Sequence, residues 1–442
     1  MKRVSISFFL RFIFIVTLLS GIGWTQQSKQ MVIKEIQTNI QNPLGIVAVE
    51  KPEDDLSAFQ YIIRTNDQLL FCDNNYQTLK VRDVKPNDKT QMILSKKCRY
   101  VLTEEIISLP EKELGSGEKI YTLFDYKGNQ YWSKKVKIYW DEIENSEMII
   151  SDFNGWLFLL NKKDACLHII EKNGSERIVK LFENIDILPM REGYIDISKD
   201  GRNIVILINK NYAENERTIT KIPLRGPNKG KEDTRHISKR DGEPIIFHFN
   251  EMGELQSKKV EDKESAANIV ISDDGNYIVC TLRNFDKTIE EDGYWITKVY
   301  SNIFSLKGTL SLCPIDILFI DGELITGYRQ FGTNNYLLSA FDIESLTKRW
   351  TTELSIMPIT ISNISVNNDN LVKIVSQTAP MRGNPYSDLQ IQFVNYNGVI
   401  VNTLQSSEIN TSITSNIKSK KLLLNSNEFF TNNILIKIVK SE

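Results

Sequence analysis

Few residues in this chain have the type and spacing that chemistry needs. Asp196, Ser198 and Asp200 stand before Gly201 in the order D-x-S-x-D-G, the opening of a calcium-binding loop. The twelfth position of that loop is Leu207, where a bidentate glutamate is required, so the segment predicts a hairpin bend at Asp200-Gly201 and no metal site. His168, His236 and His248 are not spaced as a ligand cluster, and Cys72, Cys98, Cys166, Cys280 and Cys313 contain no C-x-x-C pair. The cysteines read as small buried hydrophobes within strands. If Cys280 and Cys313 occupy the second and fourth strands of one sheet, about 9 to 10 Å separates them, too far for a disulfide. Paired carboxylates in a channel could work as acid and base on a carbohydrate or peptide. The chain is rich in Asp and Glu, but no spacing nominates such a pair.

The densest signal is a basic insertion, Asn209 to Glu243. It carries Lys210, Arg217, Lys221, Arg225, Lys229, Lys231, Arg235, Lys239 and Arg240, with His236 among them, against six acidic residues. Arg217, Arg225, Lys229, Lys231, Arg235, His236, Lys239 and Arg240 are the candidate binding residues, on what reads as a long loop facing an acidic protein or an anionic glycan. Further insertions are expected at Asn284 to Trp295 and Gln377 to Asp388.

The elements that must position these residues are strands. From Leu44 onward, short runs of β-branched and aromatic residues are separated by turn dipeptides such as Lys127-Gly128, Asp200-Gly201, Asp274-Gly275 and Asn397-Gly398. Grouped in fours, the first strands begin near residues 44, 92, 147, 193, 267, 315, 359 and 413. A period of about 50 residues with four strands each predicts an all-β fold, a β-propeller of four-stranded antiparallel blades, eight in number with seven as the alternative. The last unit, from Ser412, has room for three strands, and Met31 to Gln37 is expected to supply the fourth. Residues 31–442 thus form one propeller domain.

Ala340-Phe341-Asp342 followed by Trp350 (AFDIESLTKRW) resembles the repeat of the pyrroloquinoline-quinone-type propellers, with Ser345, Leu346 and Thr347 in place of Thr-Gly-Lys. Phe124-Asp125 to Trp132 is a shorter copy. Ile197 to Leu207 (ISKDGRNIVIL) and Ile271 to Cys280 (ISDDGNYIVC) resemble the hairpins of WD-like and TolB-like propellers. The quinone enzymes of that group have adjacent cysteines, a calcium site and a catalytic aspartate, and none of these has a counterpart here. The resemblance therefore implies a non-catalytic scaffold of BamB-like architecture, without that family's lipid-anchor cysteine, and no cofactor. Trp132 and Trp350 are expected to pack blade against blade.

Composition sets the remaining bounds. A chain of 442 residues with 41% hydrophobic and 25% charged residues can bury a large core and is not a disulfide scaffold. Lys2, Arg3 and the apolar run Phe12 to Leu19 form a secretory signal pattern over residues 1–25. Its removal takes Lys2, Arg3 and Arg11, so the 54 basic residues fall to 51 against 56 acidic ones. No nucleic-acid footprint remains. The expected protein is exported, to the periplasm, the cell surface or the medium, without a transmembrane segment in the mature chain. Its expected function is a non-enzymatic binding or scaffold module, with a channel hydrolase or lyase as the alternative.

Overall fold

The repeated change from β-branched runs to tight polar turns produces 31 strands among the described residues. The computed structural model describes residues 31–440, apart from 37, 87–89, 110–115, 140–145, 163, 183–192, 222–232, 262–263, 285–286, 288–292, 367–368, 378–386, 410–427 and 432–433. The leader expected at residues 1–25 lies outside the described residues.

Twenty-eight of the strands form seven four-stranded sheets, each antiparallel and in sequence order. These blades 1 to 7 span residues 43–83, 90–139, 146–180, 193–260, 264–310, 314–354 and 358–409. The other three strands, Met31–Ile36, Glu428–Thr431 and Ile434–Lys440, form a three-stranded sheet. The chain is a β-propeller, with seven four-stranded blades where eight were expected. The strands expected from Ser412 and at Lys421 to Leu424 fall outside the described residues; the terminal sheet, as described, has Met31–Ile36 at its edge.

Apolar seams hold the sheets together, and strand alternation explains how. In the second strand of blade 4, Ile204, Ile206 and Ile208 pack toward blade 3 with Phe158, Leu160 and Ile169. The intervening Val205 and Leu207 pack toward blade 5 with Ile278 and Cys280. Successive side chains of a strand point to opposite faces, and each face of a blade meets a neighbour, so both must be apolar. The same arrangement recurs around the molecule. Trp132 lies in the seam between blades 2 and 3, and Trp350 packs on the seam between blades 6 and 7. The terminal sheet fits between blades 1 and 7: Leu435 joins Ile46, Tyr61 and Ile63 of blade 1, while Ile438 joins Ile364, Val375 and Phe393 of blade 7.

Turns between first and second strands, and between third and fourth, share one end of the blades. We call this the turn face. Second-to-third connections emerge at the opposite end, the insertion face.

The cysteines are free, as expected from their spacing, but two are not in strands. Cys98 sits in the first turn of blade 2 at φ 57°, and Cys313 falls between Leu306–Leu310 and Pro314–Ile320. Cys98 fills apolar space in the seam between blades 1 and 2, so burial, and not strand membership, explains its apolar surroundings.

Candidate functional site

The long connection of blade 4 is a ribbon and not a loop. Strands Asn203–Lys221 and Asp233–Asn250 continue past the end of the blade, pairing from Tyr212↔Gly242 to Lys221↔Asp233. At about 3.3 Å per residue, this arm reaches on the order of 30 Å. The sequence concealed it because charged residues interrupt the β-branched pattern by which strands are recognised.

A register irregularity between Asn209 and Tyr212 marks where the ribbon leaves the blade. There Asn209, fully buried, donates from Nδ2 to Ser265 Oγ at 2.9 Å and accepts the Ala266 N–H at Oδ1 at 3.0 Å. The amide thus ties the root of the ribbon to the first strand of blade 5.

Residues opposite each other in an antiparallel pair share a face. The register pairs 215 with 239, 217 with 237 and 219 with 235 on one face, and 214 with 240 and 218 with 236 on the other. Of the candidate residues, Arg217, Arg235 and Lys239 therefore occupy positions on one face, with His236 and Arg240 on the reverse. Arg225, Lys229 and Lys231 lie outside the described residues, as do most of the insertions expected in blades 5 and 7.

The turn face gathers the carboxylates that the sequence left unassigned. Glu50 of blade 1 pairs with Lys97 of blade 2 at 3.4 Å and with Lys199 of blade 4 at 2.8 Å. Lys96 of blade 2 pairs with Asp196 of blade 4 at 3.4 Å. Asp152 of blade 3 accepts the Ser95 hydroxyl at 2.6 Å and the Lys97 N–H at 2.7 Å. Burial pushes the Asp152 carboxyl up despite these donors. Burial also acts to raise Glu50, but Lys199 and Lys97 outweigh it and hold its carboxyl below the ordinary glutamate value. Lys199 is held above the ordinary lysine value, because Glu50, Asp273 and Asp152 outweigh its desolvation.

Asp196 also accepts the Ile271 N–H of blade 5 at 3.0 Å, and Asp316 accepts the Ile361 N–H of blade 7 at 2.8 Å. A carboxylate on one first strand thus satisfies the open backbone edge of the next. Asp196 and Asp200 of the calcium-like segment have separate duties: Asp200 accepts the Ser198 hydroxyl and the Arg202 N–H. Among the described residues, no group of three or more His, Cys, Asp or Glu could hold a metal ion. Burial pushes the Cys72 and Cys313 thiols up to about 11 and Cys98 higher still, which makes them poor nucleophiles near neutral pH.

One turn repeats around this face, and the sequence announced three of its copies, Lys127-Gly128, Asn173-Gly174 and Asn397-Gly398, without the repeat. In all seven blades the third-to-fourth turn holds a left-handed residue: Tyr76, Gly128, Gly174, Gly253, Phe304, Leu346 and Gly398. Each donates its N–H to the carbonyl of the residue that opens the turn, Asp73, Asp125, Glu171, Asn250, Ser301, Asp342 and Asn395. In most blades the side chain of that first residue accepts further N–H groups, as Asp125 does from Lys127 and Asn129. Bulky residues at three of the left-handed positions hid the spacing.

No family model matches the chain, and no curated protein matches it either. The chain is similar to solved structures at low identity. The WD40 domain of SCAP from fission yeast is 10% identical, with 93% of this chain and 98% of that chain covered and a TM-score of 0.47. The Pan2 WD40 domain of Neurospora crassa is 9% identical, with coverage of 94% and 97% and a TM-score of 0.41. An uncharacterized protein from Listeria monocytogenes EGD-e is 11% identical, with coverage of 84% and 97% and a TM-score of 0.42. These are likenesses of fold alone.

Proposed function

We propose that this chain is an exported, non-enzymatic binding module that offers the blade 4 ribbon to an acidic protein or an anionic glycan. The observation that carries this reading is the ribbon itself, paired as far as Lys221↔Asp233 and anchored by the buried Asn209. An arm with basic positions at Arg217, Arg235 and Lys239 on one face has too little core of its own to be explained by stability. It leaves a rigid ring whose blades support one another, a common way of setting a recognition element on a scaffold.

The competing reading, a hydrolase or lyase with carboxylates in the channel, has less support. Glu50, Asp152 and Asp196 gather at the turn face, but lysines or backbone and hydroxyl donors hold each of them. General acid and base catalysis needs such groups within reach of a substrate proton.

Replacing residues 211–241 by an Asn-Gly turn and repeating a pull-down from the envelope fraction tests the proposal. Loss of specific partners on ribbon removal supports it, and identical partner sets refute it. Recovery of the full-length chain in the cytosol would overturn export.

A further inference from the structure

The turn face carries a second feature, independent of the ribbon, where blades 2, 3 and 4 meet. Several cations on this face are paired with carboxylates, as Lys97 and Lys199 are with Glu50, Lys127 with Asp55 and Lys134 with Glu176. Lys172, Arg177 and Arg202 differ. Each lies against an aromatic ring: Lys172 Nζ is 4.3 Å from the Tyr131 centroid, the Arg177 guanidinium 5.7 Å from that of Trp156, and the Arg202 guanidinium 4.7 Å from that of Phe153. None of the three forms an ion pair among the described residues.

Side-chain and backbone contacts join them into one patch. Lys172 donates to the Tyr100 hydroxyl at 3.3 Å, and Tyr100 lies against Gly155, which precedes Trp156. Asn154 Nδ2 donates to the Glu251 carbonyl at 2.9 Å, which brings the Met252 turn of blade 4 beside the Phe153 turn of blade 3. Phe153 and Met252 are 48% and 45% exposed, large apolar side chains left in water between the cations.

We propose that this patch is a docking site for an acidic peptide segment with an aromatic or aliphatic anchor. Cations resting on rings keep their charge available to an incoming carboxylate, and the ring floor holds them in place. Aromatic residues, Met and Arg at the centre of a patch are also the residue types in which binding energy concentrates. The charge complement is acidic, and the apolar complement is one side chain seated between Phe153 and Met252.

Selection of random dodecapeptides on phage against the immobilised full chain tests this. Enriched sequences should carry Asp or Glu flanking an aromatic residue or Leu. Recovery of those clones should fall at least tenfold on Arg177→Glu with Arg202→Glu, and likewise on Met252→Glu, an exposed change that keeps the fold. It should stay within twofold on Arg329→Glu, at the far end of blade 6. No enrichment, enrichment without acidic residues, or recovery unaffected by either patch variant would overturn the proposal.

Discussion

Lys199 Nζ of blade 4 lies 2.8 Å from Glu50 Oε2 of blade 1, so one ion pair links two blades that are not neighbours. Glu50 is half exposed, and an exposed pair contributes little, about 0.2 to 1 kcal/mol. Lys199→Met should therefore lower stability at neutral pH by no more than roughly 1 kcal/mol. The pH dependence is more diagnostic. Because the Glu50 carboxyl titrates lower in the folded than in the unfolded chain, its contribution is complete above the ordinary glutamate value and disappears as pH falls through the depressed folded value. Urea melts between pH 6 and 3, conditions chosen to span that range, should show a smaller acid loss in Lys199→Met than in wild type. Parallel curves would contradict this role.

Gly201 is a position where only glycine fits. Its φ is +79°, and a Cβ there would stand 2.7 Å from the Phe153 nitrogen and 2.8 Å from the Asp152 nitrogen of the next blade. Gly322 also has positive φ, at +77°, but a Cβ there meets nothing within 4 Å. Gly322→Ala should cost only the left-handed penalty of about 1 to 2 kcal/mol. Gly201→Ala must add backbone displacement and should cost on the order of 1 kcal/mol or more beyond that. Equal melting shifts in the two variants would show that the blades do not press together at this turn.

That contrast also shows what the sequence could reveal. Asp200-Gly201 and Asp274-Gly275 announced hairpins because the dipeptides are local and their φ requirement is intrinsic. The strands of blade 3 were legible for the same reason, with Cys166 beginning a strand as expected. Leu346 and Phe304 hide the same turn, because surrounding packing holds a bulky residue at φ 53° or 60° where the local code offers glycine. Glu50 and Lys199 carry no local signal at all. Their pairing exists only because the ring brings together residues far apart in the chain, and no spacing rule encodes that.

Lys373, fully buried in blade 7, gives a second pH signature in a more alkaline window. Burial pushes its ammonium down to about 7, opposed by the charge of Glu428 on the terminal sheet. Between that value and the ordinary lysine value near 10.5, the unfolded chain binds more protons than the folded one, so stability should rise with pH across this window. The slope cannot exceed about 1.4 kcal/mol per pH unit for one such group. Lys373→Met should flatten this rise in chemical melts between pH 7 and 10, whereas a slope unchanged by the substitution would show that Lys373 titrates normally.

The terminal sheet makes the strongest mechanical prediction. Ile434–Lys440 pairs along its length with Met31–Ile36, from Met31↔Lys440 to Ile36↔Leu435. It also places Leu435 in the seam with blade 1 and Ile438 in the seam with blade 7. Deleting 434–442 removes both apolar contacts and leaves Met31–Ile36 without its partner strand. Leu435→Ala alone should cost about 2 to 5 kcal/mol as a buried truncation. The deletion should exceed that and expose unpaired edges of the kind that recruit other chains. Differential scanning calorimetry with light scattering checks both parts: a lower melting temperature with a new tendency to associate is expected. A deletion variant that melts like wild type and stays monodisperse would show that the terminal sheet does not close the ring.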